Sequence, residues 1–255
     1  MKKLKRKLTL SSIIAISIAG MLGGIFVLPG MAAAKTGSSV WLAFLIAAVC
    51  ILPAVLSKSE LATAMPKSGG AYVYIERAFG PLFGTIAGLG LWLSLLLKSA
   101  FCLVGFGAYF LVLTKTNYIQ IEYLSLIFLF LIMMLNILGV KKVGKVQLFV
   151  VIISILGLIL MLIFGIPQVK EEYLNPFMKF GNEGLITTIA FVYIAYAGVT
   201  KVAAIAGEVK NPNRNLPLAM IFSLIFITII YTTISYTLVG NVSLIELEND
   251  YKPIY

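Results

Sequence analysis

The sequence predicts an all-α polytopic membrane protein, and three observations carry that prediction. Of the 255 residues, 60% are hydrophobic and only 12% charged, against ~25% charged in an ordinary globular chain. The apolar residues fall in runs long enough to cross a bilayer, which takes roughly 20 residues per helix. The basic residues gather in alternate gaps between these runs, the bias that orients membrane helices with their positive loops inside.

Seven runs qualify: 9–29, 39–57, 82–113, 121–139, 146–166, 184–206 and 217–240. With the N-terminus placed in the cytoplasm, 13 of the 20 basic residues fall in cytoplasmic segments and 5 in outer segments, while Lys98 and Lys201 lie inside spans. The net charge of +10 is therefore a topology signal. It forms no basic face, so the expected partner is the lipid bilayer of the cell membrane and not nucleic acid. Cys50 and Cys102 sit in apolar runs and read as small buried hydrophobes. The chain has no His, which removes the usual imidazole proton carrier and zinc ligand. The N-terminal Lys2-Lys3-Leu4-Lys5-Arg6-Lys7 before an apolar run imitates a signal peptide. No small-residue cleavage site followed by a soluble chain appears, so the first run is expected to stay as a cytoplasm-first helix.

The first span contains Gly20-Met21-Leu22-Gly23-Gly24-Ile25-Phe26-Val27-Leu28-Pro29-Gly30. Gly weakens a helix by roughly 1 kcal/mol relative to Ala, and Pro by about 3. An interrupted membrane helix either packs closely on a neighbour or exposes backbone for a ligand. The segment from Glu60 to Pro81 is too apolar for a solvated loop and too polar to span, and it is expected to hold a short amphipathic interfacial helix. The third span, 82–113, is long enough to tilt and carries Lys98 in its interior. The fourth span leads to the Lys141-Lys142-Val143-Gly144-Lys145 turn, a cytoplasmic anchor. Ser154 is the strongly polar side chain in the interior of the fifth span, either bonded to its own helix or available to a ligand.

The sixth span carries a second anomaly, Tyr193-Ile194-Ala195-Tyr196-Ala197-Gly198-Val199-Thr200-Lys201. Its tyrosines suit either packing or a site. Lys201 either snorkels to the inner surface or marks function, as an ionisable group in a span does by default. Asn211-Pro212 and Pro217 then predict a hydrated turn before the last span.

Three ordered motifs resemble the amino acid–polyamine–organocation permeases, most closely their prokaryotic and archaeal members. They are Gly23-Gly24-Ile25-Phe26-Val27-Leu28-Pro29-Gly30; Glu60-Leu61 with Met65-Pro66-Lys67-Ser68-Gly69-Gly70-Ala71-Tyr72 and Phe79-Gly80-Pro81; and Glu208-Val209-Lys210-Asn211-Pro212-Asn213-Arg214-Asn215-Leu216-Pro217. The resemblance implies a leucine-transporter-type inverted-repeat fold, with two repeats of five helices and helices one and six broken at mid-membrane. Residues 1–255 then form a single permease domain. It comprises a basic tail (1–8), a first repeat (9–166), two helices of a second (184–240) and an extracytoplasmic end (241–255).

By the same resemblance Gly23 and Gly24 offer free N–H groups to a substrate carboxylate, supported by the half-helix that starts near Ile25. Carbonyls of Ile194, Ala195, Tyr196 and Gly198 accept a substrate ammonium. The implied function is secondary transport of amino acids or related amines by alternating access, as proton symport or exchange, with no cofactor, no metal and no enzymatic chemistry. Leu22 stands where the family usually has Gly, and Thr200 where many members have an acidic residue. Ser154 stands where some proton-coupled members place a Lys in the position of a sodium ion. The coupling and charge candidates are Lys98, Ser154, Thr200 and Lys201, with proton, sodium or no coupling ion left open. The fold requires ten helices and the sequence supplies seven, so the expectation is a truncated or split permease. The alternative is a non-transporting remnant or a subunit whose partner chain supplies helices eight onward.

Overall fold

The computed structural model describes the backbone of residues 6–114, 120–137 and 140–242, and their side chains except at 112–114 and 140–145. The charges at Lys2, Lys3, Lys5, Lys115, Glu246, Glu248, Asp250 and Lys252 lie outside the described residues, as do the side chains of the Lys141–Lys145 anchor.

All seven predicted runs are helical over their described residues, but the first is divided. α1 (Leu10–Leu22) ends at Gly23, and α2 (Leu28–Thr36) starts afresh one residue before Pro29. A short 3-10 turn at Gly37–Ser39 joins α2 to α3 (Val40–Ala64). α3 therefore includes Glu60 to Ala64, which the sequence reading assigned to the following loop. α4 (Ala71–Phe79) is the expected short amphipathic helix, bracketed by Gly70 and Gly80 at φ 61° and 89°. Such φ values are open to glycine at little steric cost.

α5 (Pro81–Thr114) has 34 residues, about 51 Å of helix at 1.5 Å per residue. It is followed by α6 (Ile121–Ile137), α7 (Val140–Gly165) and α8 (Gly181–Tyr193). α8 continues directly into a 3-10 helix, Ile194–Glu208. α9 (Pro212–Asn241) begins at Pro212 itself and keeps Pro217 in its second turn, where a loop was expected. Asn211 at φ 47° turns the chain and Pro212 sits where a first helical residue needs no N–H partner. Among the described residues five stretches are long and apolar enough to cross a membrane: Leu28–Ala64, Pro81–Leu111, Val146–Gln168, Gly181–Glu208 and Pro212–Asn241. The shorter apolar helices α1 and α6 complete the seven runs.

The core is built from α1, α3, the 3-10 helix and α9. Phe44, Tyr196 and Tyr231 are fully buried at its centre, with ring centroids 5.1 Å (Phe44–Tyr231) and 5.2 Å (Tyr196–Tyr231) apart. The approaches along the first and sixth runs fall at Leu8–Val209, Gly20–Gly198 and Lys35–Gly184, so the two runs are antiparallel. α3 and α9 are antiparallel as well, since Phe44 meets Tyr231 and Trp41 meets Tyr236. Two helix pairs related by inversion are what an inverted-repeat fold requires. α5, α6 and α7 stand outside this core and expose apolar side chains such as Leu97, Phe149 and Phe164 (60%, 65% and 66%). Lipid tails are as apolar as leucine, so such faces carry no hydrophobic penalty in a bilayer.

Candidate functional site

The break in the first run follows from its residue types. Gly23 and Gly24 bring no side chain to steady α1, and the fixed φ of Pro29 suits the first turn of a new helix. Residues 23–27 are held by short-range bonds: Gly24 N–H to Met21 O (3.1 Å), Ile25 N–H to Leu22 O (3.1 Å) and Leu28 N–H to Gly24 O (3.0 Å). The Gly23 N–H also turns back to Met21 O. The amides expected to be free on Gly23 and Gly24 are therefore engaged here, because the segment tightens instead of opening.

The available groups at this break are carbonyls, and side chains from other helices reach them. Tyr231 Oη of α9 donates to Met21 O (2.6 Å), Tyr109 Oη of α5 donates to Phe26 O, and Lys98 Nζ of α5 donates to Gly20 O (3.3 Å). A backbone group left unpartnered in hydrocarbon costs several kcal/mol, and these three donors add bonds to the carbonyls at the break, Met21 O already accepting from the Gly24 amide.

The second break is a change of winding. The expected unwound stretch at Ile194–Gly198 is instead the start of the 15-residue 3-10 helix. A 3-10 run beyond three or four residues is uncommon, because side chains at i and i+3 eclipse. Here Ala195, Ala197, Gly198, Ala203, Ala204, Ala206 and Gly207 keep that eclipsing mild. The Ile194 carbonyl accepts the second bond from Lys98 Nζ, at 3.4 Å.

The two breaks touch. A Cβ placed on Gly198 would lie 2.5 Å from the carbonyl atoms of Gly20 and 2.7 Å from Met21 Cγ. Lys201 lies alongside, its Cδ 3.7 Å from where a Cβ on Gly20 would be. Cys102 Sγ is 3.2 Å from the corresponding position on Gly23. Among the described residues neither Lys98 nor Lys201 has a carboxylate within ion-pair distance. Gly24 is buried, and a Cβ there would meet Leu28 Cδ1 at 3.0 Å and Tyr231 Oη at 3.3 Å. Ile25 and Ala195 are also buried.

The other candidates sit further off. The Tyr196 ring is fully buried and its hydroxyl donates to Phe44 O at 3.0 Å, so it braces the core. Thr200 Oγ1 donates to Ala197 O of its own helix at 3.0 Å. Ser154 is half-buried on the wall of a cleft of ≈ 1280 Å³ between α1, α5, α6, α7 and α9. Gly23 and Cys102 line the same cleft, whereas Lys98, Ile194 and Gly198 do not. The sequence reading missed Tyr231 and Tyr109. Their only signal was a hydroxyl-bearing aromatic inside or at the end of an apolar span, which packing explains equally well.

Two antiparallel helical runs, each changing its winding where they touch, with main-chain carbonyls turned toward a cation, mark a helical membrane protein with an interrupted-helix core. The chain belongs to the amino acid permease family, whose family model matches residues 12–251. It is 32% identical, over 94% of its length, to the branched-chain amino acid permease BcaP of Bacillus subtilis, of which it covers 56%. It is 31% identical, over 97% of its length, to the cystine/glutamate transporter of Homo sapiens, covering 52% of that protein. To the serine/threonine exchanger SteT of Bacillus subtilis it is 28% identical over 96% of its length, covering 57%. The chain thus spans about half the length of the relatives it matches.

Proposed function

We propose that this chain carries the substrate-binding helices of a secondary transporter of amino acids or related amines, working by alternating access in the cell membrane with its N-terminus in the cytoplasm. The observation that supports this most is the meeting of the two breaks at Gly20 and Gly198, with the Gly20 and Ile194 carbonyls turned to one ammonium. Carbonyls from Ile194 to Gly198 receive the substrate ammonium. Gly23, on the cleft wall beside Cys102, marks where the carboxylate lies, with Gly24 and Ile25 completing that turn. Ser154, Thr200, Lys98 and Lys201 are the candidates for coupling, since a hydroxyl ligates sodium and an ammonium carries a proton. Movement proceeds as proton symport or exchange.

A second reading is supported by the chain's spanning about half the length of its relatives. In it the chain is a subunit that transports only with a partner chain supplying helices eight onward, or a remnant that does not transport. One experiment tests both. Proteoliposomes holding the chain are assayed for uptake of labelled leucine, serine, glutamate and lysine, alone and with a candidate polypeptide covering the second half of the relatives. Uptake by the chain alone supports the first reading, and uptake only with the partner supports the second. No uptake in either arrangement overturns transport.

A further inference from the structure

Among the described residues Lys98 is the one side chain that bonds to both interrupted helices, and it does so through an ammonium. Its Nζ lies 3.3 Å from Gly20 O and 3.4 Å from Ile194 O. Both acceptors are main-chain carbonyls at the ends of helical segments, where the change of winding leaves an oxygen turned outward. The helix that delivers Lys98 is otherwise loosely held at this depth: Leu93, Leu96 and Leu97 are 50%, 46% and 60% exposed. No carboxylate among the described residues pairs with Lys98. A charge placed inside a span costs about 2.5–3.5 kcal/mol on insertion scales, yet here it is satisfied only by two neutral oxygens. Lys201 adds a second cation beside Gly20, so the lysine is held by the carbonyl dipoles at these helix ends against that repulsion.

We infer that Lys98 is a tethered ligand: its ammonium occupies the carbonyl pair of Gly20 and Ile194, and an incoming primary ammonium must displace it. This rests on the transport reading for the identity of the incoming ligand, an amino acid or amine, but not for the existence of the ammonium site. A group tethered by a short flexible stem competes at an effective concentration in the mM range. A site filled by its own side chain about nine-tenths of the time binds an outside ligand about tenfold more weakly than the empty site does. Lys98 thereby sets the apparent affinity and selects ligands that bring their own ammonium. Once displaced, its flexible stem is free to turn toward the substrate carboxylate at the neighbouring Gly23.

The test uses the full chain, with Lys98→Ala and Lys98→Met. Thermal stabilisation and titration are measured with n-butylammonium, with n-butanol as its uncharged counterpart, and with leucine, serine and glutamate. Lys98→Ala is expected to be stabilised by n-butylammonium and not by n-butanol, while the wild type responds to neither. Any amino acid that binds the wild type is expected to bind Lys98→Met about tenfold tighter. Amino acid affinity unchanged or weakened in Lys98→Met, or a folded Lys98→Ala indifferent to n-butylammonium, overturns the inference. If Lys98→Ala does not fold, the same two probes on Lys98→Met decide the matter. There tighter binding of amino acid, or of n-butylammonium where no amino acid binds any form, supports the tether, and no gain overturns it. Should n-butylammonium bind Lys98→Ala while no amino acid binds any form, the ammonium site stands and the transport reading falls.

Discussion

Gly198 faces the backbone of Gly20 with no room for a side chain: a Cβ on Gly198 would stand 2.5 Å from the Gly20 carbonyl. The reverse is not true. A Cβ on Gly20 would meet Gly198 at 3.5 Å, an ordinary van der Waals contact. Gly198→Ala is therefore expected to push the two runs apart and destabilise the protein by about 1–3 kcal/mol, the usual penalty of overpacking. Gly20→Ala is expected to be neutral or slightly stabilising, since Ala favours helix by roughly 1 kcal/mol over Gly. Thermal unfolding of the two detergent-solubilised variants separates them, and equal melting temperatures would remove the crossing as a constraint.

Gly24→Val adds bulk next to Leu28 and against the Tyr231 hydroxyl, which lies 3.3 Å from the Cβ position. The expected result is loss of amino acid binding together with a lowered melting temperature, because the bond from Tyr231 to Met21 O is displaced. Binding retained at wild-type strength would separate this turn from the site.

Tyr231→Phe keeps the ring against Phe44 and Tyr196 and removes only the hydroxyl. The Met21 carbonyl keeps its bond from the Gly24 amide, so the expected cost is about 0.5–1.5 kcal/mol. Tyr231→Ala also empties the centre of the core and is expected to cost about 3–5 kcal/mol, as for other large aromatic truncations. A melting curve for each variant checks the ordering. Equal losses would mean that the ring contributes little.

Ser17 and Ser223 form a buried pair at 2.7 Å between α1 and α9, and Ser223 also bonds Ala219 O at 2.6 Å. Ser223 retains a partner without Ser17, but Ser17 loses its side-chain partner without Ser223. Ser223→Ala is thus expected to be the more harmful change, with a coupling energy in a double-mutant cycle of about 0.6 kcal/mol, typical between membrane helices. Zero coupling would show that the pair does not hold the helices.

Tyr72 and Glu76 lie one turn apart on α4, and the carboxylate beside the phenol raises the Tyr72 pKa above its ordinary value. The sign is that of a group whose folded pKa is raised. Its contribution is present below the ordinary tyrosine range and is lost as pH rises through the raised value. Glu76→Gln is expected to bring the titration of Tyr72, followed by phenolate absorbance, back toward the ordinary range, and an unmoved titration would exclude the contact.

Much of this architecture is legible from the residues alone. Apolar runs announce the helices, and Gly23, Gly24 and Pro29 announce the first break, because each weakens a helix through its own covalent structure. The second break was legible as a place but not as a shape. The run Ala195, Ala197, Gly198 and Ala203 permits 3-10 winding without demanding it, so only packing against α1 decides. The state of the amides at Gly23 and Gly24 was hidden for the same reason, since glycine allows both an open and a tightened turn. Lys98 was visible as an odd charge, but its two carbonyl partners lie 78 and 96 residues away in sequence. No local pattern encodes such a pairing. Pro217 misled because a proline inside a helix forfeits one i−4 bond without having to end the helix, and α9 continues through it.

The 3-10 helix has a mechanical consequence. It rises about 2.0 Å per residue against 1.5 Å for an α-helix, so its 15 residues rewound to α pitch would shorten by about 7 Å. At its far end the chain is stitched to the start of α1, with Leu8 N–H on Glu208 O at 3.0 Å and Lys210 N–H on Leu8 O at 2.9 Å. The part from Gly198 to Glu208 is thus held between the Gly20–Gly198 contact and a backbone clasp. Any shortening would have to release the clasp, slide the crossing or draw α1 along its own axis.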